Sequence, residues 1–244
     1  MALGGAGAVQ AEPVGRGFGI PGDIPGRAWS SALRERTKGL GSEIAPGEPM
    51  LNATLPYRAM AYNNAWANHR LLAACARLSS SELTAPRTGF FQSVRATLNH
   101  ILVIDRFYVD AMGHGSLGPA AWADREPCAT IDALRLAQAD VDRRLISVVE
   151  RLDAAGLENI VTVHRGTHIQ RERMDRLLLH LFQHQIHHRG QAHAMLSETS
   201  VPPPQLDEFF SAGEASLRAG ELAELGWTEE TIWGPQPAND GQSA

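Results

Sequence analysis

Cysteine is nearly missing from this chain. Cys75 and Cys128 are the two in 244 residues, too few for a disulfide framework, and with no secretory segment in view they point to a reducing, cytoplasmic location. Long apolar runs are missing as well. No stretch approaches the roughly 20 apolar residues of a membrane-spanning helix, so no membrane partner is expected. Excess positive charge is a third absence: the formal net charge is -5, which gives no electrostatic case for nucleic acid or an anionic surface. Lysine is reduced to Lys38 against 21 arginines, a bias that reads as a GC-rich genome and not as chemistry. What remains is a length suited to one domain with a sizeable core and tails.

Residues 1–49 contain 11 glycines and 5 prolines with few large apolar side chains, a composition that cannot bury enough surface to offset ordering, so disorder is expected there. No h-region of a signal peptide is present, Arg16, Arg27, Arg34 and Arg36 make a weak transit peptide, and the simplest reading is an extension ahead of Met50. From Thr54 to Leu78 the periodicity predicts a first helix with one apolar face. Ser79–Ser81, Pro86 and Gly89 mark a connection. A second helix is predicted over Phe90–Met112. Gly113 to about Cys128 is irregular and long enough to be functional or a crossover. Thr130 is placed to cap a third helix that runs through Leu134, Val141, Leu145 and Val148 toward Gly156. Two short extended pieces, Asn159–Val163 and Thr167–Gln170, flank His164-Arg165-Gly166, with His164 and His168 read as exposed. A fourth helix spans Met174–Ser197, Pro202-Pro203-Pro204 ends it, and Leu206–Phe210 with Ala215–Leu225 suggest a short helical appendage before a frayed end. The expected units are 1–49, 50–200 and 201–244.

The fourth helix holds five of the ten histidines. At about 100° per residue, His187, His180, Gln191, His184, Leu177, Met195, His188, Leu181 and Ala192 share one arc of roughly 140°. His184 and His188, one turn apart, thus sit inside an apolar stripe that should face a core. Polar rings in an apolar wall are costly without partners, and a lone i, i+4 histidine pair is more often structural than a metal site. A divalent ion held by imidazole wants a third protein ligand. His100 on the second helix shares an arc with Ile101, Ile104, Tyr108 and Ala111, so it too should point inward and is the candidate. Asp105 lies about 140° from His100 on the wheel and is expected to pair with an arginine or cap a neighbour. Leu178, Phe182, Ile186 and Leu196 form a second stripe on the fourth helix, which must meet the C-terminal segment or a second copy of the chain. Arg189 points away from the first stripe, toward a dimer interface or an ion pair stapling the bundle, and Gly190 is read as permitting close helix approach.

Tyr62-Asn63 and Trp66-Ala67-Asn68 on the first helix, Leu98-Asn99-His100-Ile101 followed by Asp105 on the second, and His184-Gln185-Ile186-His187-His188-Arg189-Gly190-Gln191 on the fourth together resemble the DinB family of metal-binding four-helix bundles, over about Met50 to Gly234. The resemblance implies an all-α, up-down-down-up four-helix bundle with its crossover after the second helix, usually dimeric. It implies a divalent metal, zinc or nickel, on three histidines that match His100, His184 and His188, with His187 outside the ligand set. The family's name comes from induction by DNA damage and implies no DNA binding. Relatives in the superfamily include transferases that use low-molecular-weight thiols such as bacillithiol or mycothiol. The functional expectation is therefore a metal- and thiol-dependent S-transferase acting on a small-molecule electrophile. The alternatives are a metal-dependent hydrolase and a non-catalytic, damage-inducible metal-binding protein. Gln191 is the candidate to orient a bound water or thiol, or to make a core hydrogen bond, and Tyr62 and Trp66 are candidates to line a substrate channel, although a core stripe is the plainer role for them.

Overall fold

The structure, a computed structural model, describes residues 52–235; the expectations for residues 1–49 and for most of the frayed end fall outside that range. Four long helices dominate. The first, α1 (Leu55–Cys75), opens with Pro56 in its first turn and no side-chain cap; a missing N–H costs nothing where the helix has no acceptor for it. The Ser79–Ser81 connection folds into one helical turn, Ser80–Thr84. Ser79 Oγ accepts the Glu82 N–H and the Glu82 carboxylate accepts the Ser79 N–H, a reciprocal cap that turns a loop-like sequence helical.

The helix expected from Phe90 starts four residues later. α2 spans Val94–Met112, because Ser93 Oγ accepts the Ala96 N–H at 3.1 Å and Gln92 turns the chain with φ of 48°. The crossover that follows carries a 3-10 turn at Gly118–Trp122. Asn99 moors its far end, donating to the Cys128 carbonyl and accepting the Cys128 N–H, both at 2.9 Å. Thr130 then caps α3 (Ile131–Glu150) through the Ala133 N–H. The two extended pieces pair as an antiparallel hairpin, β1 (Ile160–His164) and β2 (Ile169–Arg173), with His164 opposite Ile169. Val161 and Val163 point into the core while Ile160, Thr162 and His164 stay exposed, as does His168. Gly166 in its turn has φ of 87°, and a Cβ there would lie 2.9 Å from Pro119 Cγ, so glycine serves both the backbone and the packing against the crossover.

α4 (Met174–Leu196) closes the set. α1 packs against α3 and α4, and α2 against the same two. The C-terminal segment differs from expectation: Leu206–Phe210 is not helical, and helices form at α5 (Ala215–Leu225) and α6 (Glu229–Trp233). Phe209 is fully buried against Trp66 at 5.5 Å between ring centroids. Arg70 of α1 grips this segment through Glu208 at 2.6 Å and Glu221 at 2.7 Å.

Where the four helices meet, the core is polar. Arg189 is buried and donates to Asn64 and to Asn68 Oδ1. Asn64, Asn68 and Gln138 donate to Asp142 Oδ1, each at 3.1 Å, and Gln138 and Gln185 donate to Asp105. Burial pushes Asp142 up to about 6 and Asp105 upward too, with the Asp142 charge adding to the latter, while burial lowers Arg189 to about 10. Arg189 lies inside the bundle, but its hydrogen bonds go to Asn64 and Asn68 and not to the carboxylate an ion-pair staple would use. The second stripe on α4 is mostly covered by the chain itself: Leu178, Phe182 and Leu196 are buried, whereas Ile186 is 48% and Leu179 57% exposed. Gly190 does not serve close approach, since a Cβ there meets nothing within 4 Å.

Replacing Arg189 by Met removes the guanidinium that donates to Asn64 and Asn68 and faces the charges of Asp105 and Asp142. The expected loss of stability is about 3–5 kcal/mol, read by urea unfolding against wild type; a loss under about 1 kcal/mol would contradict that role.

Candidate metal centre

The facing surfaces of α2 and α4 bring His100, His184 and His188 together, with one nitrogen of each within 4.8 Å of the others. His100 Nε2 and His184 Nε2 are 3.1 Å apart. Metal–imidazole bonds of about 2.0–2.1 Å set nitrogen–nitrogen edges of roughly 3.0–3.4 Å around one ion, so this pair already has the spacing of a shared coordination sphere. The convergence follows from the periodicity, because His184 and His188 are one turn apart on α4 and His100 lies on the buried side of α2.

The ring of His188 is oriented by Gln191. His188 Nδ1 lies 2.7 Å from Gln191 Oε1, an acceptor that calls for the proton on Nδ1 and leaves the Nε2 lone pair free for a ligand. The Gln191 amide nitrogen lies 3.2 Å from His187 Nε2, and His187 is itself exposed. His184 Nδ1, by contrast, is buried without a hydrogen-bond partner among the described residues. Phe91 stacks on His100 at 4.1 Å and 25° between planes, and meets His188 edge-on at 5.5 Å.

Electrostatically the three rings are held neutral. Burial pulls His100 down to about 4 with help from His188. It pulls His184 down to about 3, reinforced by the surrounding histidines, and lowers His188 against the opposing Gln191 bond. Neutral imidazole is the form that binds metal, and three neutral donors would leave a divalent ion its full charge. The donor set therefore fits such an ion.

A cavity of about 510 Å³ opens beside His100, walled by Phe90, Phe91, Val103, Ile104 and Trp122, with Arg125 and Glu126 at its edge. Glu126 is engaged by Arg95 at 3.0 Å. Tyr62 and Trp66 are not among its lining residues. Tyr62 donates to Glu150 at 2.6 Å and meets Trp227 edge-on, and Trp66 is packed under Phe209 and the Arg70 guanidinium, so both hold the C-terminal segment to α1. Asp105 lies in the polar core, not at the histidines.

Sequence reasoning passed over three residues near the cluster. Phe91 was placed inside a helix; the Ser93 cap was the available signal that it lies in a loop. Tyr108 was placed on the His100 arc but given no partner, and its hydroxyl lies 3.0 Å from His180 Nε2, one turn before His184. Arg165 donates to that hydroxyl at 2.7 Å from the hairpin turn, a meeting that no local pattern announces.

The sequence profile of the DinB family matches residues 50–220. No curated protein matches the chain. Among solved structures, the crystal structure of a DinB-like protein from Bacillus cereus is similar at 15% identity and a TM-score of 0.48, over 59% of this chain and 91% of that one. With more than half of its length matched by the family profile, the chain belongs to the DinB family.

Proposed function

We propose that the chain is a divalent-metal protein that transfers a low-molecular-weight thiol to a small electrophile. The observation that carries this reading is the convergence of three neutral imidazoles beside an aromatic-walled cavity. His100, His184 and His188 would hold the ion, zinc or nickel. Bound there, the ion would lower the pKa of a coordinated thiol so that the thiolate is present at neutral pH. The chain's own residues do the rest. Gln191 fixes the His188 ring, and Phe91 with Trp122 shields one side from water and gives an apolar electrophile a surface to lie on. Tyr108, whose hydroxyl is held by His180 and Arg165, is buried outside the cavity lining and orders His180 one turn from His184, and the proton lost by the thiol leaves with the displaced group. Metal-water hydrolysis is the weaker reading, because Glu126, the carboxylate at the cavity, is engaged by Arg95.

The same proposal includes three coarser expectations. The helix contacts, with Tyr62 to Glu150 and Asn68 to Asp142 on one side and Tyr108 to His180 and Thr97 to Met195 on the other, support an up-down-down-up four-helix bundle. No helix among the described residues is long and apolar enough to cross a membrane, which is in keeping with a cytoplasmic protein. Exposed Ile186 and Phe210, the latter 49% exposed, border a groove of about 450 Å³ on the outer face of α4, where a second copy would form a homodimer.

Four outcomes test this. Metal analysis of the full chain is expected to give about one divalent ion per chain, lost in His184→Ala and bound roughly 10–100-fold more weakly in Gln191→Ala. Loaded protein should couple a thiol to an electrophile; metal without turnover would leave a binding protein, and no metal would remove both enzyme readings. In the metal-free protein, histidines lowered to about 4 and about 3 bind fewer protons folded than unfolded, so their contribution to stability falls as pH drops from the ordinary histidine range toward those values. Asp105 and Asp142 are raised and act in the opposite sense there, so the readout is a difference: melting temperature should fall less on acidification in His184→Ala than in wild type. An unchanged slope would contradict the buried-neutral assignment. Finally, Ile186→Asp should convert a dimer to a monomer in light scattering, and a monomeric wild type would refute the interface.

A further inference from the structure

A second cavity lies away from the histidines. It occupies about 580 Å³ between α1, α3 and the α5 end, and shares no lining residue with the cavity beside His100. Its apolar walls are Leu72, Leu136 and Trp227, and Asp132, Glu224, Arg135 and Arg143 line it as well. Leu136 is 76% exposed, a large apolar side chain left at the rim of a hollow. Trp227 is fixed by its edge-on contact with Tyr62 at 4.8 Å. The size and the mostly apolar lining with a few convergent polar groups suit a small organic ligand.

The polar groups are unusual for their depth. Gln138 and Asp142 line this cavity while only 3% and 5% exposed, and both belong to the polar core. That core sets two carboxyl groups, Asp105 and Asp142, against the single guanidinium of Arg189. The amide donors around them supply dipoles but no charge. Asp142 Oδ1 accepts three amide N–H groups, whereas Oδ2 accepts one, from Asn68 at 3.2 Å. Asp142 therefore lines the hollow with acceptor capacity to spare on one oxygen.

We propose that this cavity binds a small organic cation, an alkyl- or arylammonium whose apolar body lies against Leu72, Leu136 and Trp227 and whose N–H groups reach Asp142. Trp227, which lines the cavity, adds attraction for the cation. His69 closes the rim by holding Glu224 at 3.1 Å. The site stands apart from the metal reading and does not depend on it.

The test is calorimetric titration of the full chain at pH 8 with n-hexylammonium and with n-hexanol, which has the same body and no charge. The ammonium is expected to bind saturably and at least about tenfold more tightly than the alcohol, the worth of a charge-assisted hydrogen bond. Ala139→Trp, which fills the cavity from α3 without touching the histidines, should abolish binding at an unchanged melting temperature. Asp142→Asn should erase the preference for the ammonium, and if that variant fails to fold, the wild-type comparison and Ala139→Trp still decide. Equal affinity for the two probes, or no saturable binding, overturns the proposal. So does binding that survives Ala139→Trp but disappears in His184→Ala, which would place the amine at the histidines.

Discussion

The orientation of α4 about its own axis is the constraint on which the rest of the molecule depends, and the Arg189 network sets it. A guanidinium buried among Asn64, Asn68, Asp105 and Asp142 cannot rotate out without leaving charges unpaired in a low-dielectric interior. Because Arg189 follows His188 directly, about 100° round the helix, fixing the arginine toward α1 and α3 fixes the histidine toward α2. The clustered imidazoles are thus aimed by a polar lock on the neighbouring side of the same helix, and α1 contributes to the site while placing none of the three histidines.

This division explains what could be read in advance. Four long helices, the Thr130 cap and the inward histidines of α2 and α4 follow from local periodicity, and the family resemblance drawn from three short motifs agrees with the profile match over residues 50–220. Tertiary pairing was not legible in that way. The wheel placed Arg189 away from the histidines but could not distinguish the centre of the bundle from an outer face, because a buried arginine looks like a surface one until its acceptors on other helices are known. Tyr62 and Trp66 illustrate the same limit. Their spacing showed a buried face, and only the fold of the C-terminal segment, with Phe209 and Trp227 arriving from far along the chain, decided what that face touches.

Boundaries failed for a more local reason. The start of α2 was drawn at Phe90 by hydrophobicity, whereas the chain obeys a hydrogen bond: the Ser93 hydroxyl satisfies an otherwise orphaned N–H of the first turn. Releasing Phe90 and Phe91 from the helix is what gives the histidine cluster its aromatic cover. The Ser79–Glu82 cap acted in the opposite direction, converting a serine run into helix.

Asn99 adds a mechanical consequence. Its side-chain amide imitates a strand partner for Cys128, and the residue after it is His100. The crossover between α2 and α3 is therefore tethered one residue from a proposed ligand, with the loop's free length lying on the far side of that tether. The segment also reaches the site at a second place, since Trp122 lines the cavity beside His100 and packs on Phe107. The crossover is thus a clasp with two catches, one on the residue before His100 and one on the wall of its cavity, and a change at either is felt at the same histidine.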